Sequence, residues 1–256
     1  MRRARWHRRL IPPLVAIGLA LTMGPGSASA GYQASVYENS TSFGPCLGWS
    51  TSTTDTMRAL ATNALITLGY GPTVYKGTAF TKSRVLSRTS ADQAVYVQSH
   101  GDQYYDAHGK QVQGFREDAG RCSGAAIVYA TEIAPRRATA AHVVVMSTCH
   151  LGEAPLDGQI SMAQAYGIEQ LRSNRDGTAS RGPEFFLGYR GLAWLDDQLK
   201  FERSFWYYAT HGSSLGEAFD LAMAYSGKSS RTVPTWFGSY LYSGVPWAPG
   251  PCTKCL

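Results

Sequence analysis

The chain has 256 residues, with 24 Lys and Arg against 18 Asp and Glu and a formal net charge of +6. The surplus is concentrated at the start, where Arg2, Arg3, Arg5, Arg8 and Arg9 fall within the first 30 residues and no acid does. The remainder is close to neutral, which removes the electrostatic case for nucleic acid or an anionic membrane as partner.

Those first 30 residues have the three parts of an export leader. A basic start precedes a mostly apolar run from Leu10 to Met23, interrupted by Pro12 and Pro13. Ala28-Ser29-Ala30 then supplies the small residues that a signal peptidase accepts. Cleavage is expected after Ala30. A retained anchor is the poorer reading, because the apolar run is shorter than the roughly 20 residues of a membrane span and contains two prolines. No later segment is long and apolar enough to span. The mature protein, residues 31–256, is therefore expected to be secreted without stable membrane insertion, as one domain.

Five cysteines is an odd number for an oxidising compartment, which pairs them and leaves one over. Cys46, Cys122, Cys252 and Cys255 lie in stretches containing Gly, Pro, Ser or Thr and are the disulfide candidates, with three possible pairings. Cys149 ends an apolar strand and is the leftover thiol. A zinc site built from the other four is a rival reading, but Cys252-Thr253-Lys254-Cys255 has no second pair at metal-ligand spacing. Neither a nucleotide-binding glycine loop nor a His-Glu-x-x-His helix occurs, so the chain calls for no metal or other cofactor.

In chain order, a strand is expected near Gln33 to Glu38 and a helix from about Thr54 to Leu68, its apolar positions recurring at helical spacing. Gly69 and Gly71 stop that helix, and Thr73 to Lys76 reads as a strand. Ala94 to Gln98 is a short apolar strand delivering Ser99-His100-Gly101-Asp102 at its carboxyl end. Gln103 to Asp106 and Gln111 to Phe115 flank a tight turn and read as a hairpin, and Ala125 to Ala130 as a further strand. His142 to Ser147, with its run Val143-Val144-Val145-Met146, has the continuous apolar character of a strand buried on both faces, and it delivers Thr148-Cys149-His150-Leu151-Gly152. A helix from Ser161 to Leu171, a strand from Glu184 to Tyr189 and an aromatic helix from Trp194 to Tyr208 follow. Ser213 or Ser214 caps a last helix through Ala222, and Phe237 to Leu241 is expected as an edge strand. Strands alternating with helices predict an α/β three-layer sandwich around a mainly parallel central sheet.

Open parallel sheets carry their reactive groups outside the carboxyl ends of the strands, which makes His100 and Cys149 a natural pair. A thiol attacks a carbonyl well when a neighbouring imidazole takes its proton and later protonates the leaving amine. The backbone amides of Gly101 and Cys149 are candidates for stabilising the resulting oxyanion.

The block Val95-Tyr96-Val97-Gln98-Ser99-His100-Gly101 is followed, 49 positions after His100, by Cys149 in Ser147-Thr148-Cys149-His150-Leu151-Gly152. This order resembles the caspase-like clan of cysteine peptidases, which includes caspases, metacaspases, legumains, clostripain and gingipains. The Cys-His-x-Gly is closest to metacaspases. Phe185-Phe186-Leu187-Gly188-Tyr189-Arg190-Gly191, with Ser214-Leu215-Gly216-Glu217-Ala218 beyond the long helix, is similar to the back half of gingipain-like domains. The resemblance implies a caspase-like fold, a peptide or protein substrate, Cys149 as nucleophile and His100 as base. It also implies a substrate-pocket role for the position two before the cysteine, where metacaspases carry an acid and this chain carries Ser147. Asp102 and Asp106 can give the pocket negative character and so favour a basic side chain, although both also fit a solvated loop.

Other readings stay open. A buried cysteine at a strand end is often only a small hydrophobe, and the domain then binds a protein or glycan surface without cleaving it. A thiol amidase or acyltransferase acting on cell-wall material uses the same residues. His150 reads as orienting or structural, His108 as a hairpin tip and His142 as a strand entry. His211 lies in an inter-helix turn, its order after Cys149 fitting a papain-like arrangement that nothing else supports.

Overall fold

The computed structural model of the chain describes residues 32–48, 50–169, 184–226, 229 and 231–246. In chain order the strands are β1 (Tyr32–Glu38), β2 (Tyr70–Lys76), β3 (Ala94–Gln98), β4 (Gly101–Tyr105), β5 (Gln111–Arg116), β6 (Ile127–Tyr129), β7 (Val143–Ser147), β8 (Phe185–Arg190) and β9 (Val233–Gly238). The helices are α1 (Ser52–Thr67), α2 (Lys82–Arg88), α3 (Ala130–Ile133), α4 (Met162–Ala165), α5 (Leu195–Thr210) and α6 (Leu215–Ser226).

The apolar runs build one six-stranded sheet in the order β2-β1-β3-β7-β8-β9. Its strands are parallel except β9, which runs antiparallel to β8. Side-chain alternation along each strand feeds two cores. On one face Val143 and Val145 pack with Ala61 and Leu65 of α1, Phe201 and Phe205 of α5, and Leu215 and Ala218 of α6. On the other, Val144 and Met146 meet Val85 of α2, Ile133 of α3 and Met162 of α4. This second core also takes in Val112, Phe115 and Val128 from a small antiparallel sheet ordered β4-β5-β6. A valine or leucine fully buried this way contributes about 1.5–3 kcal/mol before entropy is counted. The result is the expected mixed α/β architecture, a mostly parallel central sheet flanked by helices.

Several elements differ from the sequence expectation for local reasons. Strand β4 begins at Gly101 and not at Gln103, so the hairpin is attached directly to His100. Helix α4 stops after Ala165, capped at its start by the Ser161 hydroxyl, which accepts from the Gln164 amide at 3.1 Å. Gly167, at φ +78°, turns the chain away there, and the predicted continuation reaches residues 170 and 171, outside the described residues. Strand β9 lies four residues upstream of the predicted edge strand. It tolerates Pro234 because an edge strand has one side free of ladder hydrogen bonds, and it ends at Gly238, φ +95°. Helix α2 has one buried side chain, Val85, in seven residues, too little to show a period.

Among the described residues no helix is long and apolar enough to cross a membrane. The leader proposed for residues 1–30 lies outside the described residues.

Candidate active site

Strands β3 and β7 are parallel neighbours with Gln98 opposite Ser147, so they end at the same level of the sheet. His100 and Cys149 each stand two residues beyond that level. Their side chains line one cavity of about 260 Å³. No hydrogen bond joins the imidazole to the thiol among the described residues, so the two face a shared space without being locked together.

His100 is held from behind. The Ser99 hydroxyl donates to the Arg116 carbonyl at 2.6 Å and accepts from the Asn39 amide at 3.2 Å. Asn39, fully buried, also donates to the Glu117 carbonyl and accepts from the Ser42 amide at 3.1 Å each. The Arg116 amide donates to the His100 carbonyl at 3.0 Å. From the front, the Phe43 ring stacks on the imidazole with centroids 4.5 Å apart and planes 25° apart. Phe43 sits in a short helical turn, Ser42–Cys46, whose last residue is disulfide-bonded to Cys122 with the Cα atoms 5.2 Å apart. The bridge thus ties the loop after β1 to the loop between β5 and β6, and among the described cysteines Cys149 is the free thiol.

Cys149 is placed by its backbone. His150 has φ +61°, a left-handed conformation that costs a non-glycine residue about 1 kcal/mol or more. Its amide donates to the Gly191 carbonyl and that of Gly152 to the Tyr189 carbonyl, both at 2.9 Å, which fastens the turn to β8 and the loop after it. The His150 ring pairs at Nδ1 with Glu153 at 2.6 Å and points away from the dyad's partner role. Gln113 of β5, fully buried, donates to the Glu153 carbonyl at 2.8 Å and accepts from the Met162 amide at 2.7 Å, bracing the segment after Cys149. The Ala193 amide donates to the Cys149 sulfur at 3.3 Å. Gly101 lets β4 pass against this turn: a Cβ there would lie 2.6 Å from the Cys149 carbonyl oxygen and 2.8 Å from the Thr148 Cβ.

Burial sets the resting charge state. It lowers the His100 pKa below its ordinary 6.5, with the Arg116 cation adding to the effect. It raises the Cys149 pKa above its ordinary 9.0; the Ala193 amide opposes this and the Asp102 carboxylate adds to it. Both shifts favour the neutral form of the group. Neither shift favours a preformed thiolate–imidazolium pair.

The remaining sequence candidates fall elsewhere. Asp102 is exposed, caps the Gln103 amide at 2.7 Å and does not line the cavity. Ser147 is buried on the face of β7 that meets α5, beside Glu202. Glu202 accepts from the Tyr96 and Tyr189 hydroxyls at 2.9 Å each, and burial pushes its pKa up to about 7. Asp106 closes the hairpin turn by accepting from the His108 and Lys110 amides, and His211 stacks on Tyr207. Cys252 and Cys255 lie outside the described residues. Asn39, Phe43, Gln113 and Gln198 are the residues the sequence did not announce. Only Asn39, a buried amide at a strand end, carried a hint, and nothing marked the other three.

No protein-family model matches the chain, and no curated protein matches it. Among solved structures it is similar to a structural-genomics protein from Geobacter sulfurreducens, at 13% identity, a TM-score of 0.46 and coverage of 82% of this chain and 96% of that one. It is also similar to caspase-1 from Spodoptera frugiperda, at 12% identity, a TM-score of 0.45 and coverage of 81% of this chain and 86% of that one.

Proposed function

We propose that the protein is a secreted cysteine endopeptidase of caspase-like type, made with a leader over residues 1–30. The observation that carries this reading is the placement of His100 and Cys149 beyond the ends of two adjacent parallel strands, with both side chains on one cavity. His100 takes the thiol proton as Cys149 Sγ bonds to the carbonyl carbon of the peptide. The C–N bond then breaks, with the same proton passing to the departing amine. Water, deprotonated by His100, releases the acyl group and restores the thiol. The Gly101 and Cys149 amides are the assigned oxyanion donors, and the contact between Gly101 and the Cys149 carbonyl brings the two residues together.

The test uses the exported form beginning at Gly31, profiled against a mixed peptide library beside Cys149→Ala and His100→Ala. Each variant is expected to lose at least about a thousandfold in kcat/KM. Undiminished cleavage by Cys149→Ala would remove the proposal.

A further inference from the structure

The cavity beside the dyad has a wall whose chemistry bears on what it can hold. Phe43, Leu192, Ala193 and Trp194 make most of it apolar, and Leu192 and Trp194, 62% and 42% exposed, stand at its mouth. Among the described residues, beyond the dyad and Ser99, whose hydroxyl is already committed to Asn39 and Arg116, one polar side chain lines it: Gln198, in the first turn of α5. Gln198 is 2% exposed, and its side-chain amide is part of the cavity wall. A primary amide on an otherwise apolar wall can both donate to and accept from an uncharged polar group that enters the cavity.

Among the described residues no ionised side chain lines the cavity; Arg116 and Asp102 act on His100 and Cys149 from outside its wall, and the other charges close to it are paired or turned elsewhere. Glu38, at the end of β1, is paired with Arg58 and Lys76 on the α1 side of the sheet. Arg231 lies over the Trp194 ring at 5.2 Å but is paired with Asp196 and Asp197. Glu202 is closed off between two tyrosine hydroxyls. A charged side chain entering this space gives up water without meeting a counter-charge, whereas a neutral one loses little and finds apolar contact.

We infer that this cavity receives an uncharged side chain from the residue whose carbonyl is attacked, with Gln198 as the residue that sets the preference. The inference rests on the peptidase reading and departs from the basic preference that Asp102 suggested from sequence, since Asp102 is not part of the wall.

The test pairs peptide substrates with peptidyl acyloxymethyl ketones, both carrying Gln, Met, Leu, Glu, Asp, Lys or Arg at the cleavage position. Labelling by the ketones forms a C–S bond at Cys149 and expels the carboxylate, the thiol proton passing to His100 or water, so it reports on the cavity even without turnover. The wild type is expected to react at least about tenfold faster with Gln, Met and Leu than with the four charged residues. Gln198→Glu, which adds an acid to the wall, is expected to raise the Lys-to-Gln ratio by about tenfold or more. Gln198→Leu, which avoids a new buried charge, keeps the neutral preference while shifting it from Gln toward Leu and Met. Fastest wild-type reaction with any charged residue overturns the inference and leaves the peptidase reading intact. So does a Gln198 variant that labels with unchanged ratios. If no peptide is cleaved and no ketone labels Cys149, both readings fall together.

Discussion

Replacing Gly101 by Ala tests most directly whether the ends of β3 and β7 are packed as described. The added Cβ would lie 2.6 Å from the Cys149 carbonyl oxygen, 2.8 Å from the Thr148 Cβ and 3.0 Å from its hydroxyl. Ordinary contact needs 3.4 Å or more, and the nearest of these atoms is backbone, which cannot swing aside. The turn holding Cys149 must therefore move by nearly 1 Å relative to His100, a misplacement that costs about a hundredfold in rate. Overpacking of this kind also costs about 1–3 kcal/mol of stability. The control is Gly71→Ala, the same chemical change at a glycine whose nearest contact would be an ordinary 4.0 Å, which is expected to stay within about 0.5 kcal/mol of the wild type. Urea unfolding gives the stability, and peptide cleavage with iodoacetamide labelling of Cys149 gives the site. Adding Thr148→Ala to Gly101→Ala removes only the hydroxyl contact and should recover a small part of the stability, because the Cys149 carbonyl and the Cβ of residue 148 both stay in place. A Gly101→Ala protein with wild-type midpoint and wild-type rate would refute the packing and the dyad geometry built on it.

Glu202 predicts a pH dependence. Burial raises its folded pKa from the ordinary 4.5 to about 7, so the folded protein keeps a proton that the unfolded chain releases across that interval. Its contribution is complete below about pH 4.5 and is lost as pH rises to about 7, by about 3 kcal/mol. The stability difference between wild type and Glu202→Gln should fall by that amount over the interval, and parallel profiles contradict the assignment. The neutral dyad predicts that iodoacetamide labels Cys149 at a rate climbing with pH through 9. A plateau between pH 6 and 8 would instead reveal a thiolate–imidazolium pair. In Arg116→Gln, which removes a cation that disfavours imidazole protonation, the acid limb of kcat/KM should move to higher pH; an unmoved limb removes Arg116 from the account.

The fold was legible wherever a strand was buried on both faces. Val143 to Met146 and Ala94 to Gln98 read as strands because continuous apolar runs have few other uses, and each ended at a reactive residue. Edge elements were not legible in this way. Strand β9 carries a proline and has its first two residues exposed or half-buried, and the sequence placed it too far downstream. The dyad stood out because His and Cys are chemically distinctive at strand ends. Its supports did not, since Phe43 and Gln113 act through contacts across the sheet with partners 57 and about 40 residues away, and such partners leave no local pattern. Ser147 shows the limit of carrying a role over by position: in this chain the side chain turns to the α5 face, beside Glu202.

The Cys46–Cys122 bridge spans 76 residues of chain and in the chain-entropy view contributes about 4–5 kcal/mol by restricting the unfolded state. A subtler effect reaches the imidazole, because Phe43 rides on the tethered turn. On the peptidase reading, the molecule combines opposite oxidation states at two places, the Cys46–Cys122 pair and a reduced thiol in the cavity. Opening the bridge would release the turn that carries the Phe43 ring against His100 and leave the Cys149 thiol as it is.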